Sequence, residues 1–115
     1  MNTYLFCRIK NSGDKMLVKK NKLWFEGLEL ETLEVELKGT TLLLIEGYGA
    51  FFMCGALDVD IYKDREVVCG RAVGVKTIVE LFNAPIQAST QFAKTKGIVP
   101  GMKVYEAFKK VRQEE

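Results

Sequence analysis

Histidine is absent from the 115 residues. That removes Ser-His and Cys-His dyads, imidazole metal ligands, and the one side chain whose ordinary pKa lies near neutrality. Cysteine is sparse: Cys7, Cys54 and Cys69 cannot all pair within one chain. None shows CxxC spacing, which argues against zinc ribbons and thioredoxin-like chemistry. Long apolar runs are also missing. The longest, Ala50-Phe51-Phe52-Met53-Cys54, is far short of a membrane span. Neither sign of charge dominates. Seventeen Lys/Arg against fifteen Asp/Glu leave a net charge of +2, so bulk charge recommends neither nucleic acid nor an acidic membrane surface. The first eight residues lack a basic leader followed by an apolar stretch, so no signal peptide is expected. The expectation is a reduced, cytoplasmic protein with buried thiols.

What is present suits one globular domain over residues 1–115. Apolar residues make up 48% and charged residues 28%, which excludes disordered, collagen-like and disulfide-rich chains. Charge is segregated along the chain. Residues 1–27 carry six bases against two acids, and residues 28–46 one against five. Residues 47–87 carry four against five, and residues 88–115 six against three. The first two segments fit adjacent strands of opposite sign, or complementary surfaces on two copies.

The first half reads as strands. Residues 3–10 are rich in β-formers and end in the turn signal Asn11-Ser12-Gly13-Asp14. Residues 16–19 and 23–25 are short apolar runs separated by Lys20-Asn21-Lys22. Leu33, Val35 and Leu37 alternate with Glu34 and Glu36, a half-buried strand. Leu28 and Leu30 have the opposite phase, which predicts a bulge near Glu31-Thr32. Residues 42–45 and 50–53 form a further pair, joined by a three-residue connection, Gly47-Tyr48-Gly49.

The period then changes. Residues 56–65 predict a short helix and residues 66–75 a strand. Thr77-Ile78-Val79-Glu80 matches a capping box, starting a helix that stops before Pro85. Residues 86–96 predict a second helix with Gly97 as its C-cap. Val104, Ala107, Phe108 and Val111 fall at i, i+3, i+4 and i+7 and mark a terminal amphipathic helix.

Residues 42–45 and 51–54 present apolar side chains to both faces of a sheet. A one-sided sheet would alternate. Helices can cover one face. The other needs either residues 1–30 folded over it or another subunit, because wet Leu and Phe side chains cost about 25 cal/mol per Å². Leu42, Leu44, Phe51 and Met53 are therefore the candidate interface of a homo-oligomer.

The stretch Gly49-Ala50-Phe51-Phe52-Met53-Cys54-Gly55-Ala56-Leu57-Asp58-Val59 resembles the hairpin-to-helix motif of the YunC-like family of bacterial and archaeal proteins of unknown function. Gly70-Arg71-Ala72-Val73-Gly74-Val75-Lys76-Thr77-Ile78, followed by Leu81 and Ala84-Pro85, resembles its second motif. Gly97-Ile98, Gly101-Met102 and Glu106-Ala107 resemble its last. The likeness spans roughly residues 25–110. It implies an α+β fold whose N-terminal β region mediates tetramerisation. Residues 1–22 look like an addition to the family pattern, and the helix after Asp58 looks short for it. The resemblance carries over no catalytic residue.

Chemistry has few footholds. Cys54 stands between a predicted strand and a helix, where a thiol can be activated. With no histidine, its base would be a lysine or carboxylate, and Asp58 is the nearby acidic candidate. The competing reading is a small residue packed at a tight crossing. Gly70 to Thr77 misses the phosphate-loop pattern: three residues separate its glycines instead of four, and Val75 precedes Lys76. Arg71, Gly74, Lys76 and Thr77 remain candidates for holding a small anion at a helix start, unless Thr77 and Glu80 fill that start themselves. Asp58, Asp60 and Asp64 lack calcium-loop spacing and fit a solvated face. Trp24 and Tyr48 suit packing better than base stacking.

Together these features predict an α+β protein. An antiparallel region of about six short strands, residues 1–54, carries self-association. An α/β half, residues 55–115, adds a strand and three to four short helices packed on one face. The expected role is a homo-oligomeric assembly module, tetramer favoured, or a small-anion-binding module. The alternative is a small enzyme using Cys54 as nucleophile. No cofactor, metal, nucleic acid or membrane partner is expected, and the residues name no substrate.

Overall fold

The computed structural model describes the backbone of residues 3–8 and 15–113 and the side chains of residues 17–113. One seven-stranded sheet runs in sequence order. Its strands are β1 (Thr3–Arg8), β2 (Lys15–Phe25), β3 (Leu28–Leu37), β4 (Thr40–Gly47), β5 (Ala50–Met53), β6 (Val68–Arg71) and β7 (Ala88–Ser89). Every neighbouring pair is antiparallel except β5 and β6, which are parallel. Three helices follow the sheet or interleave with its end: α1 (Ile78–Asn83), α2 (Gln91–Thr95) and α3 (Val104–Gln113). This is an α+β fold, as the residue pattern predicts. Among the described residues, no helix is long and apolar enough to cross a membrane.

The core lies between one face of the sheet and the helices. Leu28, Leu30, Leu43, Ile45, Ala50, Phe52 and Val68 meet Leu81, Phe82, Ala93, Val104, Ala107, Phe108 and Val111. The amphipathic spacing of the last helix thus buries the four side chains it marks. Phe52 and Phe108 pack edge to face, with centroids 5.1 Å apart, at the centre. Gly70 is required by this packing. A Cβ there would lie 2.9 Å from the Ala88 carbonyl oxygen and 3.1 Å from the Phe52 ring. The first glycine of the loop-like motif therefore admits β7 and an aromatic ring, and does not cradle a ligand.

Several local expectations are corrected. β2 is one continuous strand, because β1 pairs with its first half and β3 with residues 17–25. No bulge occurs near Glu31-Thr32, since β3 keeps an unbroken register with both neighbours. The phase conflict is resolved differently: Leu28, Leu30 and Thr32 face the helices, while Leu33, Val35 and Leu37 stand on the opposite face. The connection between β4 and β5 has two residues. Gly47 still pairs with Ala50, while Tyr48 and Gly49 both take left-handed backbones, φ +54° and +77°.

The predicted helix over 56–65 shrinks to a single 3-10 turn, Val59–Tyr62. It buries no residue, so no apolar stripe drives a longer helix. The strand predicted over 66–75 is limited to β6, because the chain passes Ala72 and turns at Gly74, φ +76°. The predicted helix over 86–96 divides. Ile86 and Gln87 donate backbone hydrogen bonds to Met102 and Arg71, which keeps them extended, and only then does Thr90 cap α2. Gly97 ends that unit with φ +85°, as a C-cap should.

Candidate functional site

Two regions carry the sequence-predicted residues: the sheet face away from the helices, and the loops at the carboxyl ends of β5 and β6. On the first, strand register aligns side chains in rows. Val18, Val35 and Leu42 form one row, and Lys20, Leu33, Leu44 and Met53 the next. Lys22, Glu31, Glu46 and Phe51 form a third. The four candidate interface residues, Leu42, Leu44, Phe51 and Met53, therefore share one face, and all four are half-buried. Leu42 also touches the edge of the main core.

The 3-10 turn covers one end of this outer face. Tyr62 packs edge to face on Phe51, with centroids 5.7 Å apart. Cys69, in the same row as Phe51, is fully buried there. Burial pushes its thiol from 9.0 up to about 11, because desolvation disfavours the thiolate. Residues 15–25 do not fold over the rest of the face, since β2 lies in the sheet beside β3. Trp24 stands at its other end, 62% exposed.

Arg71 works as a strap at the covered end. Its Nη1 donates to the carbonyl oxygens of Leu57 at 3.1 Å and Gly55 at 3.5 Å, and its Nε donates to Gln87 Oε1 at 2.6 Å. It thereby ties the crossover between β5 and β6 to the sheet. These bonds engage Nε and Nη1 within the fold. Gln87 was not visible as a partner in the sequence, because sixteen residues separate it from Arg71 and no pattern links them.

Thr77 begins α1 as its spacing predicts. Its Oγ1 accepts from the Glu80 N–H at 3.1 Å. The reciprocal bond is displaced by one residue: Glu80 Oε1 accepts from the Lys76 N–H at 2.8 Å, not from the Thr77 N–H. The helix start is thus occupied by its own side chains. Gly74 and Lys76 lie just before it, and Lys76 is exposed. The structure does not bring the four anion candidates to one cavity. Lys76 lines a cleft opposite the β3–β4 turn, while Arg71 and Thr77 are engaged in the bonds just described.

Cys54 is buried in the main core, and no helix begins beside it. Its N–H donates to the Leu43 carbonyl, and its carbonyl accepts from Leu57 N–H. Among the described residues, no ionisable side chain is paired with it. Asp58 caps the 3-10 turn through Oδ1, which accepts from the Asp60 N–H at 3.0 Å. Among the described residues, no group of three Cys, Asp or Glu side chains is placed to hold a metal ion. Tyr48 has a role the sequence reading missed: its hydroxyl accepts from the Glu29 N–H at 2.8 Å, fastening the β4–β5 turn to β3. The Tyr-Gly pair at that turn was its available signal.

A mostly antiparallel meander with helices on one face and an uncovered apolar patch on the other defines a class of small α+β protein. The family described as Domain of unknown function (DUF1805) matches residues 53–111, from the end of β5 to α3. The chain belongs to this family. It is 36% identical over 99 residues to the "Uncharacterized protein YunC" of Bacillus subtilis (strain 168), covering 83% of this chain and 98% of that protein. The crystal structure of a protein of unknown function from Thermoplasma acidophilum shares the fold, with a TM-score of 0.77 at 24% identity. That likeness covers 84% of this chain and 94% of the other.

Proposed function

We propose that the chain is a self-associating module whose contact is the outer face of its N-terminal sheet. The observation that carries this reading is the half-buried patch of Val18, Leu33, Val35, Leu42, Leu44 and Met53, which lies opposite the helices. Packing such a patch against a copy removes apolar area from water without any new secondary structure. Charge supports a copy as the occupant. Lys20 belongs to this face on β2, and Glu31 and Glu46 to it on β3 and β4, while Lys22 and Glu29 already pair within the protomer. A two-fold axis through the patch sets the basic strand of one protomer over the acidic strands of the other. A tetramer, which the family resemblance favours, needs a second and different contact, because the two-fold contact uses this face on both protomers. The cytoplasm suits this module, with support from two buried free thiols, Cys54 and Cys69.

Light scattering after size exclusion tests the reading. The wild-type chain is expected at a multiple of its 13.0 kDa protomer mass, the tetramer at four times that mass. Leu44→Lys is expected to reduce the mass to one protomer while keeping the far-ultraviolet dichroism of the fold. A wild-type mass of 13.0 kDa at high micromolar concentration defeats the proposal.

A further inference from the structure

A second region has the makings of a binding site, and it stands apart from the outer face. Loops at the carboxyl ends of parallel strands form the crevice in which open sheets hold ligands. Here β5 and β6 end together, and the chain leaves β6 through residues 72–76. Because β4 runs against β5, the β3–β4 turn arrives at the same end of the sheet. Between the two loops lies a cleft of about 400 Å³, lined by Gly39, Thr40, Thr41, Val75 and Lys76.

Three features of the cleft suit an oxyanion. The Lys76 ammonium has no ion-pair or hydrogen-bond partner among the described residues, whereas Lys22 and Lys109 are paired with Glu29 and Glu26. The contrast is sharp with the cavity lined by Glu26, Leu28, Lys109, Arg112 and Gln113, which supplies its own counter-charge. Next, Thr41, which alternates onto the helix side of β4 with Leu43, brings a hydroxyl-bearing side chain to the opposite wall. Last, Gly39 and Gly74 have left-handed backbones, φ +83° and +76°, and a Cβ on either would meet nothing within 4 Å. At Gly39, which lines the cleft, the backbone therefore opens on free space, while Gly74 stands just before the Val75–Lys76 wall. Oε1 of the nearby Glu80 accepts from the Lys76 N–H, which fixes the root of the Lys76 side chain.

We propose that this cleft binds the phosphoryl group of a small phosphorylated organic molecule. Lys76 and the Thr41 hydroxyl hold the phosphoryl oxygens through hydrogen bonds, the one from Lys76 charge-assisted. Val75 packs against the organic part. The cleft has room for an organic group beside the phosphoryl oxygens.

The test uses the full ¹⁵N-labelled chain and follows its backbone amides. Three titrants are compared at matched ionic strength: glycerol 3-phosphate, inorganic phosphate and sodium chloride. Saturable shifts are expected at residues 39–41 and 74–77, with tighter binding of the ester than of phosphate and no response to chloride. Lys76→Met is expected to weaken ester binding by about tenfold, the effect of losing one charge-assisted contact. Lys76→Arg keeps the charge and is expected to stay within about threefold of wild type. Unshifted amides away from the cleft report that both variants fold. The proposal is overturned by absence of saturable shifts, by an equal response to chloride, or by undiminished binding in Lys76→Met. Phosphate binding as tight as the ester overturns the assignment to an organic phosphate.

Discussion

The two faces of the sheet share strands but not partners. On the inner face, Leu43, Ile45 and Phe52 are wholly buried beneath α1 and α3. On the outer face, Leu42, Leu44 and Met53 alternate with them along the same strands and remain half-buried. Strand propensity and hydrophobicity are alike on both. The difference lies in what the rest of the chain brings to each face: three helices to one, and a single 3-10 turn at one end of the other. Apolar character in a strand thus marks burial on the inner face. On the outer face it marks a surface that the described helices leave half-buried, the surface proposed above as the contact between copies.

The largest expected effect compares adjacent residues of β4. Leu43→Ala is expected to cost about 2–5 kcal/mol in urea unfolding, the range for a well-packed buried leucine. Leu44→Ala, measured on the same protomer at low concentration, is expected to cost about 1 kcal/mol or less. Equal losses at the two positions would erase the distinction between the faces.

The strapped end of the outer face should fall between these. Arg71→Met removes the donors to the Leu57 and Gly55 carbonyls and is expected to cost about 1–2 kcal/mol, measured by the same unfolding curve. Amide exchange should quicken first in residues 55–62, the segment that the guanidinium holds. Exchange that quickens uniformly would mean that Arg71 serves the whole fold and not this end.

The smallest effect is pH-dependent. The Cys69 thiol is raised from 9.0 to about 11 by burial. It favours the folded state below pH 9, and that contribution is lost as pH climbs from 9 through about 11, where the unfolded chain releases a proton that the folded chain retains. The Tm of Cys69→Ala should therefore fall less steeply than that of wild type across this window. Identical slopes would show that the covered end is wetter than its geometry implies.

Much of the fold is legible in local pattern. The Thr77 cap, the stop before Pro85, the Gly97 terminator and the stripe of Val104, Ala107, Phe108 and Val111 all rest on interactions within a few residues. The misreadings share a cause: each needed a distant partner. Residues 86–89 look helical until the carbonyls of Arg71 and Met102 and the edge of β6 claim their backbone. Leu28 and Leu30 suggest a bulge until the helices cover only one end of β3. For the candidate sites, the placement of Leu42, Leu44, Phe51 and Met53 on one face follows from period-two alternation. The cleft between the β3–β4 turn and Lys76 does not, since thirty-five residues of chain separate its walls.

Sequence by itself determined the class of fold, the Thr77 and Gly97 caps and the excess of apolar side chains that one layer of helices cannot cover, because each depends on period, composition or neighbours along the chain. Tertiary structure decided which face stays open, that Lys76 meets the β3–β4 turn across a cleft, and that Arg71 is a strap and Cys54 a core residue. Those outcomes depend on which distant segment arrives to accept a hydrogen bond or fill a volume, and that choice is made only when the whole sheet has assembled.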